Sequence, residues 1–262
     1  MRSARDGVYS NGVALLLNSA VSSALGFLFW VLLARIAPSQ ALGWGAAVVS
    51  AATLAALIGK AGFDAAIIRY APGADRRLAT KLLAHAAVAA VFLTAIVVAI
   101  ILVLAGEGVP SLAPLRSPVA AIGFLLLACG TSAAWILDAF FIAEQSAVYT
   151  LARNVAFSVA KLLVPLLVAA SFFVVPIAWP AGLAVSVLVA LAFLPRVLRT
   201  RPVDPAGAAP RPKRRDGVGY AAKNYVLNLS EFLPGLVLPI LVLDALGADA
   251  NARFYIAWTL AT

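Results

Sequence analysis

One cysteine, Cys129, and one histidine, His85, are all that 262 residues contain of the two side chains most used for metal and redox chemistry. A lone cysteine excludes an intramolecular disulfide and a cysteine metal cluster, and a lone histidine excludes a paired-histidine metal site. His85 falls at a helix edge, where a structural role is the simplest reading. Charge is scarce too. Asp, Glu, Lys and Arg make up 12% of the chain, against about a quarter in an ordinary soluble domain. No Gly-X-Ser-X-Gly stretch is present, and Ile58-Gly59-Lys60-Ala61 lacks both the Ser/Thr and the upstream glycine of a phosphate-binding loop. There is no polar domain to house catalysis. A membrane-embedded glycosyltransferase or polymerase would carry a large outer loop with paired carboxylates or Arg/His clusters, whereas 106–117 offers only Glu107 and Arg116. These absences point away from an enzyme, with a membrane-embedded glycosyltransferase or polymerase left open in principle, and no cofactor or metal is expected.

What remains is apolar. Residues of hydrophobic type make up 63%, more than a chain of this length can hide in its own core, so the solvent is lipid. A bilayer core requires about 20 apolar residues per helix. Seven spans meet that scale, at 12–34, 43–63, 82–105, 118–142, 148–174, 177–196 and 219–243, and an eighth begins near 252. The expected fold is an all-α polytopic membrane helix bundle with seven complete helices and the start of an eighth. The first span follows Arg2 and Arg5 but is too long for a signal peptide, and no cleavage site precedes the next span.

The net charge of +9 would suggest nucleic acid in a soluble chain. Here the cations cluster between apolar runs, so they set topology and no nucleic acid is expected. With the N-terminus in the cytoplasm, fourteen basic residues fall inside and only Arg35, Arg116 and Arg253 outside. The longest polar stretch, 197–218, is then a cytoplasmic basic linker. Its prolines, alanines and basic residues favour neither insertion nor packing, and Lys213, Arg214 and Arg215 suit anionic lipid headgroups. The linker divides the chain into a six-helix lobe, 1–196, and an incomplete second lobe, 219–262. An offset of 210 residues supports this weakly, laying Leu17-Asn18 on Leu227-Asn228 and Trp44 on Phe254.

Charges inside the spans are the sharpest feature. Lys161 lies within SVAKLLVPLLVAA, residues 158–170, where an unpaired charge costs about 2.5–3.5 kcal/mol on insertion scales. At about 1.5 Å per residue, Lys161 sits roughly 20 Å from the cytoplasmic edge and Glu231 roughly 18 Å, so depth makes them candidate partners. Asp138 and Arg153 form a second depth-matched pair, with Glu144 near the surface. Pro165 follows Lys161, and Pro234, Gly235 and Pro239 follow Glu231, placing a candidate hinge beyond each charge. Asn18, Ser22 and Ser23 in the first span, with Asn228 and Ser230 in the seventh, can bond between helices or face sugar hydroxyls. Lys60, near the end of its span, is expected to snorkel to the headgroups.

The stretch at 24–73 contains Ala34-Arg35, Pro38, Gly43-Trp44, Gly62-Phe63 and Arg69-Tyr70-Ala71-Pro72. It resembles the opening of the polysaccharide-export and oligosaccharide-flippase proteins, and the likeness continues more loosely through 223–258. The resemblance implies a transporter of the multidrug/oligosaccharidyl-lipid/polysaccharide superfamily, with helices in two lobes around a central cavity. It would carry lipid-pyrophosphate-linked oligosaccharides across the cytoplasmic membrane by alternating access, among membrane lipids and polysaccharide assembly enzymes. On this reading Lys161, Glu231, Arg153, Asp138, Asn18 and Asn228 line the path, and the cations meet pyrophosphate. Arg offers bidentate contact and Lys a point charge, so the residues alone favour neither. A cation-coupled drug antiporter of the same superfamily and a non-transporting membrane scaffold are the alternatives.

Overall fold

A computed structural model describes residues 2–72, 74–105, 108–168, 171–199 and 214–261. The described chain is helical almost throughout. In order come α1 (Arg2–Ile36), α2 (Ser39–Gly59), α3 (Phe63–Tyr70), α4 (Arg76–Leu104), a 3-10 turn at Pro110–Arg116, α5 (Pro118–Ala143), α6 (Ala147–Leu163), the short α7 (Pro165–Val168), α8 (Val174–Arg199), α9 (Arg214–Leu246) and α10 (Ala248–Ala261). Among the described residues seven stretches are long and apolar enough to cross a membrane: Tyr9–Ile36, Ser39–Gly59, Arg76–Leu104, Pro118–Ala143, Ala147–Val168, Val174–Arg199 and Ala222–Leu246. The chain is an all-α, multi-pass membrane bundle.

Local chemistry sets the helix ends. Asp75 caps α4 by accepting from the Leu78 N–H at 2.7 Å, and Pro118 opens α5 behind Ser117. Asn11 of α1 accepts from the Ala147 N–H at 2.7 Å, so α6 is capped from another helix. Gly62 and Gly247 take φ of 80° and 84°, the left-handed turns that separate α2 from α3 and α9 from α10.

The structure shifts several expected boundaries. The second span starts at Ser39, closes at Gly59 and gives way to the separate α3. The fifth is not continuous, because Pro165 lacks the N–H that would extend α6. The expected linker is shorter: α8 runs to Arg199 with Val197 and Leu198 buried, and α9 already begins at Arg214. Lys213 lies outside the described residues, and so do the side chains of Arg214 and Arg215. Pro234 and Pro239 fall within α9, which is helical past both.

α2 is the central element, packed against α4, α5, α8, α9 and α10. Around it the buried apolar residues form two clusters. One gathers the end of α1, most of α2 and the starts of α5 and α8, with Phe29, Trp30, Trp44, Phe124 and Val174. The other gathers α3, the start of α4 and the ends of α5 and α8, with Ile67, Leu83, Phe140, Phe141 and Leu198. The first cluster draws on α10 through Ala252, Tyr255 and Ile256. α2 and α10 touch so closely that a Cβ on Gly43 would lie 1.8 Å from the Ala248 carbonyl oxygen. Ser39 donates to Asp249, and the Asn251 amide donates to the Gly43 carbonyl at 2.7 Å. Ser39 and Asp249 are 210 residues apart, the offset of the weak sequence repeat.

Candidate functional site

The helix directions bring charged and polar side chains of α1, α5, α6 and α8 to one place. Arg153, on the inner face of α6, is 3% exposed. Its Nε donates to Asp138 of α5 at 2.9 Å, and its Nη2 bonds the other carboxylate oxygen, the bidentate arrangement that suits a guanidinium. Nη1 donates to Ser186 of α8 at 2.6 Å, and Nη2 also donates to Asn154 at 2.8 Å. The Asn154 amide donates in turn to Asn18 of α1 at 2.8 Å. The expected Asp138–Arg153 pairing is formed, within a larger network.

Lys161 has a different environment. It is 3% exposed, and its Nζ lies 4.1 Å from the ring centre of Trp179 and 4.7 Å from those of Phe29 and Phe157. Three ring faces take the place of a carboxylate, each contributing by cation–π attraction. Among the described residues Lys161 has no ion pair, and the expected pair with Glu231 is not formed. The reason is lateral placement: α9 packs on α2, α3 and α10 rather than on α6, and Glu231 is exposed. Depth matches on two helices that are not neighbours. Lys60 also departs from expectation. It does not snorkel; it is 7% exposed, bonds Asp64 at 2.5 Å and lies 5.2 Å from the Trp135 ring centre.

These groups border two adjoining cavities. The larger, of about 690 Å³, is lined by Asn18, Ser22, Asp138, Arg153, Asn154 and Lys161 among others. The smaller, of about 420 Å³, is mostly apolar and includes Lys60, Asp64 and Asn228. Both share Thr53, Trp135, Asp138 and Phe232, so one wall separates them. Phe232 and Asn228 come from α9, which therefore closes the crevice from the opposite side. Asn228 donates to its own helix at the Asn224 carbonyl, 2.9 Å away, and so does not reach the network of Asn18. Pro165 is buried at the α6 break, Pro239 is buried and Pro234 exposed along α9, and Gly235 faces the Trp258 ring.

Sequence reasoning missed Asn154, Ser186 and the three rings around Lys161. Asn154 adjoins Arg153 and was findable; Phe29 and Trp179 stand 132 residues before and 18 after Lys161, and only packing brings them there. Both cavities lie in the volume range of small-molecule sites. Chemically the larger offers one cation already matched by a carboxylate, one cation matched among the described residues by rings, and a row of neutral hydrogen-bonding groups. Among the described residues no three His, Cys, Asp or Glu side chains gather as metal ligands.

No curated protein and no solved structure matches the chain significantly. A family model does match, over residues 8–246, which takes in both cavities and every helix from α1 to α9. This chain belongs to the polysaccharide biosynthesis protein family.

Proposed function

We propose that the protein moves lipid-pyrophosphate-linked polysaccharide precursors across the cytoplasmic membrane by alternating access, as a transporter and not an enzyme. The observation that carries this reading is Lys161, a cation within a membrane bundle that borders a 690 Å³ cavity and has no carboxylate partner among the described residues. Ionisable groups at such depth are expensive and mark pathways. An anion entering the cavity supplies the charge that the rings do not. Arg153 is the second cation on the path, and it can exchange Asp138 for phosphate oxygens as the ligand moves. Asn18 and Asn228 stand on the walls of the two cavities that the headgroup would cross.

The same reading assigns the rest of the chain. The N-terminus faces the cytoplasm, following the positive-inside count. Residues 1–196 form one lobe, and α9 and α10 open the second; the α2–α10 seam, joining Ser39 to Asp249, supports that division. Pro165, Pro234, Gly235 and Pro239 mark where helices bend as the lobes move. Lys213, Arg214 and Arg215 hold anionic headgroups, and polysaccharide assembly enzymes receive the cargo.

The test is movement of a fluorescent polyprenyl-pyrophosphate oligosaccharide in proteoliposomes. Lys161→Ala is expected to slow it tenfold or more, about the loss of one charge-assisted hydrogen bond. Glu231→Ala is expected to change it less than twofold. Transport at the parent rate by Lys161→Ala would overturn the reading.

A further inference from the structure

α1 and α6 pack side by side in a constant register. Asn11 bonds Ala147 and Asn18 bonds Asn154, and both pairs are separated by 136 residues. Helices running parallel in that register place Ser22 level with Ser158, one turn further along, and both line the larger cavity. The next turn of α6 presents Lys161. Asn154, Ser158 and Lys161 therefore share one face over about 10 Å of helix, with neutral amides and hydroxyls leading up to the cation.

The Ser22 hydroxyl is buried and has no hydrogen-bond partner among the described residues. Buried polar groups are nearly always bonded, so an open one on a cavity wall is a place for a ligand group. The Asn18 carbonyl oxygen accepts from Asn154, a bond that does not use the amide hydrogens of Asn18, and Asn18 lines the cavity. Trp135 and Phe157 border the same space. Neutral donors and acceptors beside aromatic residues suit a hydroxylated ring better than a second anion, which would find no further cation there except the matched Arg153.

We propose that the α1–α6 seam is a sugar subsite, in which Ser22 and Asn18 hydrogen-bond the sugar attached to the pyrophosphate and set which sugar is accepted. It rests on Lys161 as the anion-binding group, because Ser22, level with Ser158, stands about one helical turn from Lys161, which places the first sugar, and not a distal one, beside Ser22. Distal sugars then pass without being read here.

The experiment compares binding of two ligands to the purified protein in nanodiscs: a short-chain prenyl pyrophosphate, and the same compound carrying one hexose. The parent protein is expected to favour the sugar-bearing ligand about tenfold, the worth of a few neutral hydrogen bonds. Ser22→Thr keeps the hydroxyl and Ser22→Val removes it at equal shape. Thr is expected to retain the preference and Val to lose most of it, with affinity for the bare pyrophosphate within twofold in both. Lys161→Gln is expected to weaken both ligands alike. Equal preference in the Thr and Val proteins, or no preference in the parent, overturns the subsite while leaving transport intact. If the parent binds neither ligand, the anion-binding reading of Lys161 fails and the subsite falls with it.

Discussion

Lys161 and Arg153 are both buried cations on α6, two turns apart, and their different partners give them different energetics. Arg153 is matched by Asp138, so removing one member strands the other: Asp138→Ala is expected to lower unfolding stability by about 3–5 kcal/mol. An apolar double replacement, Asp138→Leu with Arg153→Met, should recover most of that, which thermal unfolding in detergent would show. Lys161 is matched, among the described residues, by rings alone. Lys161→Met therefore is expected to leave the protein at least as stable, while transport falls as described above; a large loss of stability would mean that the rings hold the cation more firmly than cation–π magnitudes of about 2 kcal/mol allow. At this scale the sequence was informative along the helix axis and silent around it. Apolar flanks exposed Lys161, and depth paired Asp138 with Arg153 correctly because α5 and α6 follow one another in the chain and pack together. The same depth argument paired Lys161 with Glu231 and failed, because depth carries no azimuth.

Helices show the complementary strength and weakness. Seven apolar runs were countable from composition, since each must span the same hydrocarbon thickness. Their ends shifted where a cap or turn acted: Gly62 split α3 from α2, and Pro165 split α7 from α6. The prolines of α9 do not interrupt it, so proline alone was a poor guide to breaks. Two contacts between elements invite direct tests. Asn11→Ala removes the cap that α1 provides to α6, and a loss of about 1 kcal/mol is expected in thermal unfolding. Gly43→Leu forces apart α2 and α10, where not even a methyl group fits, and should cost about 1–3 kcal/mol as overpacking does. An unchanged melting temperature for Gly43→Leu would mean that the seam separates freely.

The whole molecule is two apolar clusters with a polar crevice between them, wrapped in side chains such as Leu16, Val88, Phe92 and Leu188 that are exposed in the bundle and meet lipid. This inverts the soluble arrangement, in which polarity lies outside, and composition alone announced it. The crevice itself was not legible, since its lining comes from six helices, α1, α2, α5, α6, α8 and α9, that only packing brings together. Its topology is testable: cysteines placed at Lys81 and Arg116, in a background without Cys129, should react with a membrane-impermeant maleimide from opposite faces. Reaction of both from one face would contradict α4 as a spanning helix.

Trp179 lies 4.1 Å from the ammonium of Lys161, and a charge that close to an indole shifts the energy of its excited state. The protein thus contains its own optical gauge of where that charge stands. When an anion draws Lys161 off the ring, the colour of the emitted light should move with it, without any label. Residence of cargo could then be followed in unmodified protein, with Trp179→Phe, which keeps the other four tryptophans, as the control that lacks the shift.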